Sequence, residues 1–175
     1  VYYQYFDADL GRPVVNEGED GLQKLDYALY KAEQEGIKLL ITFTNNWEAF
    51  GGMGQYVQWA KLAGENVSGH DDFYTNETIK GWYKDYIKTL LNHENVYTGV
   101  KYKDDPTIFS WELANEPRCE SDAGCENNTV VKWATEMSAY VKSIDDNHML
   151  AVGDEGFYNY GYNDFPEGDH KYVYH

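Results

Sequence analysis

Several features that mark common functional classes are scarce or missing in this sequence. It has only two cysteines, and its 14 lysines and arginines face 30 aspartates and glutamates, giving a formal net charge of −16. A chain of this charge repels nucleic-acid phosphates and anionic membrane surfaces, so neither is expected as a partner. No apolar run approaches the roughly 18 residues that a membrane-spanning helix needs. Repeats, low-complexity segments and a glycine-rich phosphate-binding loop are also missing.

The composition that remains is that of a folded domain rich in aromatic residues. Hydrophobic residues make up 42% and aromatic residues 17% of the 175 residues, with 17 tyrosines and five tryptophans. This content is too high for a disordered chain, and the length predicts one domain. Tyrosine and tryptophan on an acidic background are compatible with a neutral, hydroxyl-rich ligand such as a sugar.

Cysteine and asparagine positions predict an oxidising compartment. Cys119 and Cys125 lie six residues apart in a polar loop without the further ligands that a metal site requires, which favours a short disulfide. Asn-x-Ser/Thr triplets begin at Asn66, Asn76 and Asn127. Together these features predict a secreted, extracellular glycoprotein.

Hydrophobic periodicity predicts helices that alternate with short apolar strands. The helices are predicted over 21–35, 77–92 and 129–145, and the strands over 37–43, 107–113 and 149–153. Asp20 and Gln23 form a capping-box pattern before the first helix, and Gly36 is a C-cap signal after it. Residues 1–19 are predicted as a loop with some extended structure. The order of the elements is typical of parallel βα units.

Polar segments directly follow all three predicted strands. They are Thr-Asn-Asn-Trp at 44–47, Ala-Asn-Glu-Pro-Arg at 114–118 and Asp-Glu-Gly at 154–156. Ligands of parallel α/β folds bind at the carboxyl ends of the strands, so these segments predict the functional site. The Gly- and Asn-rich stretch 44–75, predicted as a loop with one helical turn at 56–62, is long enough to be functional.

Glu116 is the candidate catalytic residue. A carboxyl group at the rim of an apolar barrel is partly removed from water, which favours the protonated form that a general acid needs. Its neighbour Asn115 can exchange hydrogen bonds with a sugar hydroxyl. An ordinary loop ion pair between Glu116 and Arg118 is the alternative.

A glycosidase needs a second carboxylate, about 5.5 Å away for retention or about 6.5–9.5 Å for inversion. Glu112 lies about 13 Å lower along the same strand, so it is predicted to pair with a polar or basic neighbour instead. Asp154 and Glu155, after the next strand, are the candidates within the chain.

An aromatic residue also stands at a strand end. Trp47 follows Asn45 and Asn46, and we expect Trp47 and Asn46 to contact substrate, with core packing as the alternative for the indole. The five histidines, at 70, 93, 148, 170 and 175, lack metal-ligand spacing and are predicted to be surface or supporting residues. No metal or cofactor is predicted.

Five segments closely resemble the fungal secreted endo-β-1,4-mannanases of glycoside hydrolase family five. They are 20–27, 38–47, 50–52, 109–119 with its Trp-Glu-Leu-Ala-Asn-Glu-Pro-Arg run, and 153–157 with Gly-Asp-Glu-Gly. The resemblance extends in order over nearly the whole chain. It implies a (β/α)8 TIM barrel that cleaves internal bonds of mannan, glucomannan and galactomannan with retention.

The resemblance also implies a role for each matching residue. Glu116 resembles the acid/base and Asn115 the partner of the 2-hydroxyl of the reacting sugar. Arg118 and Glu155 resemble contacts on the leaving-group side, and Trp47 resembles a substrate-contacting aromatic residue. The pair Cys119–Cys125 resembles the disulfide beside the acid/base.

The resemblance stops short of a complete barrel. It matches about strands three to five, and the glutamate nucleophile of the family, after the seventh strand, has no counterpart here. We therefore expect 1–175 to be a partial catalytic domain, truncated at both ends, inactive alone and monomeric when full length. An open arc of strands is also expected to expose unpaired edges and an apolar interior.

Three other functions remain open at this point. The chain could be a β-1,4-endoglucanase or another glucanase on the same barrel. It could be a non-catalytic carbohydrate-binding module, or a structural partner of another chain that completes the barrel.

Overall fold

A computed structural model describes residues 3–121, 125 and 128–155, and contains five helices and five strands in that part of the chain. The helices are α1 (Gln23–Glu35), α2 (Gly52–Leu62), α3 (Asp72–Thr75), α4 (Glu77–Asn92) and α5 (Thr129–Lys142). The strands are β1 (Gln4–Asp7), β2 (Arg12–Val15), β3 (Leu39–Thr42), β4 (Ile108–Glu112) and β5 (Met149–Ala151). None of the described helices is long and apolar enough to cross a bilayer.

Strands β3, β4 and β5 form one parallel sheet in that order, as the alternation of helices and strands predicts. In register, Thr42 lies beside Glu112, and Glu112 beside Ala151. Parallel neighbours of this kind require crossover connections, which α4 and α5 provide. The carboxyl ends of all three strands therefore meet at one edge of the sheet.

The two faces of the sheet have different surroundings. Phe43 and Trp111 stack at a centroid distance of 5.1 Å on the side covered by helices, and both are fully buried. Leu40 and Met149, whose side chains point to the other face, are 52% and 54% exposed. An open arc of a barrel exposes its apolar interior in this way.

The predicted C-terminal end of α1 is confirmed, whereas its predicted N-cap is wrong. Gly36 ends it with a left-handed φ of 68°, and its N–H bonds to the last turn. The N-cap is Leu22 rather than Asp20, and no side chain caps the helix. Backbone carbonyls of the preceding turn, Asn16 and Gly18, accept from the first N–H groups instead, so Asp20 is not needed there.

The stretch 44–75 is more ordered than the sequence indicates. A short 3₁₀ turn (Ala49–Gly51) leads into the eleven residues of α2, and α3 follows. Helix α2 is buried on much of its circumference, so it lacks the single apolar stripe of a surface helix. The first 19 residues contain an antiparallel hairpin, β1–β2, and Gln4 in it accepts a 2.8 Å hydrogen bond from the Tyr56 hydroxyl of α2.

Candidate active site

Backbone pairing continues beyond the strands and brings the three predicted polar segments together. Asn45 and Asn115 form a parallel bridge, and the Asn46 N–H donates to the Asn115 carbonyl at 3.0 Å. The Glu116 N–H donates to the Gly153 carbonyl at 2.9 Å. Extra ladder bonds of this kind fix the backbone at the strand ends, so the side chains project from a rigid edge.

Glu116 occupies a strained position at the centre of this edge. Its φ of 53° lies in the left-handed region, which a residue with a side chain adopts at a cost of about 1–3 kcal/mol. The carboxylate is half-buried, and its Oε2 accepts a 2.5 Å hydrogen bond from the Trp47 indole Nε1. The strain and this contact together aim the carboxyl group over the neighbouring strand end.

Trp47 and Arg118 lie against each other beside Glu116. The indole is 42% exposed, and the Arg118 guanidinium carbon lies 5.3 Å from its ring centroid. The guanidinium forms a two-pronged ion pair with Glu155, rather than the loop ion pair with Glu116 that was the alternative. A bidentate pair holds both partners in a fixed plane.

Asn115 is exposed at the same edge, and its Nδ2 donates to Asn45 Oδ1 at 3.0 Å. Asn45 is not among the site residues that the sequence predicts. Its Oδ1 also accepts from the Trp47 N–H at 3.3 Å, and its Nδ2 donates to the Ala49 carbonyl at 3.2 Å. The Asn-Asn pair after an apolar strand was the available signal. Asn45 therefore orients both Asn115 and the Trp47 backbone.

The structure contradicts the substrate contact predicted for Asn46. It was expected to contact substrate, but it is only 5% exposed, and its side-chain oxygen accepts from the Arg118 N–H at 3.1 Å and lies 3.3 Å from the Tyr74 hydroxyl oxygen. A buried amide oxygen that already accepts a backbone N–H is not available to a substrate. The structure thus places Asn46 as a link between the two strand-end loops.

The structure also brings in two residues that the sequence analysis did not assign to the site. His70 lies with Nε2 at 2.9 Å from the Asn46 carbonyl and Nδ1 at 3.0 Å from Asp71 Oδ1. Asp71 Oδ2 accepts from the N–H groups of Glu120 and Ser121 at 3.1 and 2.7 Å. No spacing pattern pointed to them, because His70 lies 24 residues from Asn46, and Asp71 lies 49 and 50 residues from Glu120 and Ser121.

The predicted disulfide between Cys119 and Cys125 is present, with a Cα–Cα distance of 5.6 Å. With Asp71 these cysteines form the single acidic or sulfur cluster of metal-binding dimensions found among the described residues. Disulfide sulfur is a poor metal ligand, since thiolate is the binding form. We therefore assign the cluster to loop structure.

Loss of the disulfide is expected to cost modest stability. Closing a loop this short restricts the unfolded chain by about 2 kcal/mol. The double variant Cys119→Ser/Cys125→Ser should therefore have a free energy of unfolding about 2 kcal/mol lower than the wild type, and a lower urea midpoint. An unchanged midpoint would contradict the expectation.

Ionisation of Asp71 should make the free energy of unfolding depend on pH in the acidic range. Burial alone would raise its pKa, but hydrogen bonds from His70, the Ser121 side chain and backbone N–H groups outweigh this and lower the pKa from 3.8 to about 2. Because the pKa is lower in the folded state, the stabilisation is complete above the unfolded pKa and disappears as pH falls through the folded one. The contribution is about 2 kcal/mol.

Urea unfolding of the wild type and Asp71→Asn measures this effect. At about pH 5 the variant should be less stable by about 2 kcal/mol, and the difference should shrink towards about pH 2. Other carboxylates titrate in both proteins and cancel in the comparison. A pH-independent difference would contradict the assignment.

Glu112 lies below the site, as its position along β4 predicts. Its Oε1 accepts a 2.7 Å hydrogen bond from the Thr42 hydroxyl. The polar neighbour expected for this carboxylate is therefore a threonine on the adjacent strand. Of the other predicted positions, Asn127, Gly156, His170 and His175 lie outside the described residues.

Comparison with known proteins identifies the family to which this strand-end site belongs. Residues 15–171 match the sequence profile described as GH family 5 beta-mannosidase-like. The chain belongs to glycoside hydrolase family 5. It is 50% identical over 143 residues to mannan endo-1,4-beta-mannosidase 1 of Oryza sativa, covering 82% of this chain and 33% of the relative. It is 53% identical over 140 residues to mannan endo-1,4-beta-mannosidase 7 of Arabidopsis thaliana, covering 80% and 32%.

Solved structures of the family agree with the fold. The endo-1,4-beta-mannanase of Rhizomucor miehei superposes with a TM-score of 0.86 at 45% identity, covering 99% of this chain and 48% of that one. A hyperthermostable endo-1,4-beta-D-mannanase of Thermotoga petrophila gives 0.75 at 52% identity, covering 87% and 41%.

The predicted fold class, part of a (β/α)8 barrel, is confirmed. The chain spans about a third of the length of the curated relatives it matches. Those named here come from rice and Arabidopsis, so the narrower fungal assignment is not confirmed.

Proposed function

We propose that this chain is part of a retaining endo-glycosidase that hydrolyses internal β-1,4-mannosidic bonds in mannan, glucomannan and galactomannan. The observation that carries the proposal is the contact of the half-buried Glu116 carboxylate with the Trp47 indole at the shared end of three parallel strands. The names of the relatives, mannan endo-1,4-beta-mannosidases, support the substrate class.

In the proposed reaction, Glu116 protonates the leaving glycosidic oxygen and later accepts a proton from the attacking water. The Trp47 indole N–H, 2.5 Å from Oε2, orients the carboxyl group so that Oε1 is available for the proton transfer. The exposed indole offers an apolar face for the C–H side of a sugar ring. Asn115, exposed and held by Asn45, is the proposed partner of the 2-hydroxyl.

Arg118 and Glu155 are the proposed polar contacts on the leaving-group side. Their mutual ion pair leaves each side chain about a fifth exposed, so outward-facing atoms can meet sugar hydroxyls while the pair keeps its geometry. This engagement also makes Glu155 a poor nucleophile, because its two oxygens both accept from the guanidinium. In the family that the sequence resembles, the nucleophile is a glutamate after the seventh strand, and the described residues contain three parallel strands. We therefore propose that the nucleophile is neither Glu155 nor Asp154 but is contributed by residues outside these 175, and that the chain alone is inactive.

Assays of the full-length polypeptide containing this chain test the proposal. Reducing ends should accumulate from mannan, galactomannan and glucomannan, and proton NMR should show the β-anomer as the first product. Preferential release from a β-1,4-glucan would favour a glucanase instead. Substrate binding without any hydrolysis would favour a non-catalytic carbohydrate-binding module.

We further propose an extracellular, monomeric glycoprotein. The disulfide supports an oxidising compartment. Asn66 is exposed, whereas the side-chain oxygen of Asn76 accepts the Ile79 N–H at 3.0 Å and caps α4. Glycopeptide mass spectrometry of the secreted protein should therefore find Asn66 more occupied than Asn76, and light scattering should give the mass of one chain.

A further inference from the structure

We propose that His70 and Asp71 are positioning residues that hold the loop after β3 (44–51, the Trp47 loop) against the loop after β4 (114–121, the Arg118 loop). These contacts, called the lock below, form only when His70 carries a proton on both ring nitrogens. This inference rests on the proposed function, since the two loops carry the proposed catalytic and substrate-binding side chains. It adds a pH-sensitive element to that site.

The first step is the hydrogen bonding of the His70 ring. One nitrogen faces the Asn46 carbonyl at 2.9 Å, and the other faces a carboxylate oxygen of Asp71 at 3.0 Å. Both partners are acceptors, and a neutral imidazole has only one N–H to donate. Only the imidazolium ion satisfies both contacts, so deprotonation must break one of them.

The second step is the reach of Asp71 into the disulfide loop. Its Oδ2 accepts the N–H groups of Glu120 and Ser121 and lies 3.4 Å from the Cys125 sulfur. His70 therefore contacts the segment after β3 through the Asn46 carbonyl. Through Asp71 it is also linked to the loop that follows Glu116 and Arg118.

The third step is a parallel link through Asn46 and Tyr74. The Asn46 side-chain oxygen accepts the Arg118 N–H, and the Tyr74 hydroxyl donates to the Arg118 carbonyl at 2.9 Å. The link through Asp71 ends on Glu120 and Ser121, and the link through Asn46 and Tyr74 ends on Arg118. A shift of Asn46 after loss of the His70 contact would consequently move Arg118 and the adjoining Trp47.

The charges around His70 set the direction of the switch. Asp71 contacts the ring, Glu120 is the second negative group near it, and the Tyr74 ring centroid lies 6.3 Å away. Burial lowers the pKa of His70, but the contacts with Asp71 and the Asn46 carbonyl and the two negative charges raise it above its ordinary 6.5 overall. His70 therefore makes both contacts at pH values below its raised pKa, and it loses one of them as pH rises through that pKa.

The variant His70→Gln replaces the charged ring by a neutral amide, whose two N–H donors lie on one nitrogen rather than on two sides of a ring. In the full-length polypeptide, kcat/KM on a manno-oligosaccharide near pH 6 should fall about tenfold, the scale of one lost charge-assisted hydrogen bond. KM should account for most of this loss, because Trp47 and Arg118 contact substrate. Because deprotonation of the general acid Glu116 lowers the activity of both proteins as pH rises, the ratio of wild-type to variant kcat/KM is the quantity to compare. It should fall from about tenfold near pH 6 towards one at alkaline pH.

His148 provides a matched control. Its ring nitrogens face the Asp145 carboxylate at 2.7 Å and the Asp105 carbonyl at 2.9 Å, so it has the same kinds of partner. It precedes β5 and thus lies at the opposite edge of the sheet from the site. His148→Gln should lower the melting temperature yet leave kcat/KM of the folded enzyme and its pH profile unchanged.

Two measurements do not depend on turnover. Imidazole ¹⁵N shifts of the wild type should report both His70 nitrogens protonated near pH 6, and hydrogen exchange at the Arg118 and Ser121 amides should accelerate in His70→Gln. A neutral His70 near pH 6, or a variant that keeps the wild-type pH profile and amide protection, would overturn the proposal. If the wild type cleaves no mannan while the ¹⁵N and exchange results hold, the proposed function fails and the lock stands.

Discussion

Replacing Glu116 by glutamine in the full-length polypeptide is expected to lower kcat on mannan about a thousandfold, within the range that a positioned general acid contributes. Glutamine keeps the size of the side chain, and its carbonyl oxygen can still accept the hydrogen bond from the Trp47 indole. It cannot deliver a proton to the leaving oxygen. Substrate affinity should therefore change little while turnover falls.

The leaving group distinguishes an acid from a merely structural carboxylate. An aryl mannoside whose phenol departs readily needs little protonation, so Glu116→Gln should lose much less activity in the first step with this substrate than with mannan. Glu48→Gln is the matched control, because Glu48 is an exposed carboxylate next to Trp47. It should stay within about twofold of the wild type. Equal losses on both substrates would contradict acid catalysis by Glu116.

The sequence predicted the elements that carry a clear local pattern. Helix α4 was predicted over 77–92 and is found at Glu77–Asn92, because its apolar face is continuous and Asn76 caps it through the Ile79 N–H. The parallel strands are shorter than predicted by a few residues, since terminal residues such as Gly153 continue the pairing without regular strand geometry. Their order and the site at their carboxyl ends follow from the βα alternation.

What the sequence could not predict depends on contacts between distant segments. The two asparagines after β3 are chemically identical, yet Asn45 orients the site and Asn46 is buried beneath Arg118. Side chains alternate between the two faces of a sheet only within a strand. Beyond the strand end, the packing of the loops determines which asparagine faces outward. His70 reaches the site for the same reason: its partners Asn46 and Asp71 meet through the fold of 44–75, and no periodic pattern encodes that fold.

The glycine at the start of α2 tests how tightly that loop holds the site. Gly52 has φ 46° and ψ −164°, a conformation close to the one that glycine alone adopts readily. A Cβ there would lie 1.9 Å from the Trp47 carbonyl oxygen and 2.8 Å from that of Asn45. Both contacts are to backbone, so no side-chain rotation relieves them. Gly52→Ala must displace the segment that positions the Trp47 indole.

Gly52→Ala is therefore expected to destabilise the full-length polypeptide by about 4 kcal/mol, from backbone strain and the forced shift together. Gly54→Ala is the matched control in the same helix, because its Cβ would meet nothing within 4 Å. Alanine should stabilise the helix there by about 0.5–1 kcal/mol. Calorimetry and mannan hydrolysis should separate the pair: Gly54→Ala melts higher with full activity, and Gly52→Ala melts lower and loses activity even when folded. Equal melting temperatures for the two variants would show that the Trp47 loop can move without cost, and the rigid edge on which Glu116 depends would not exist.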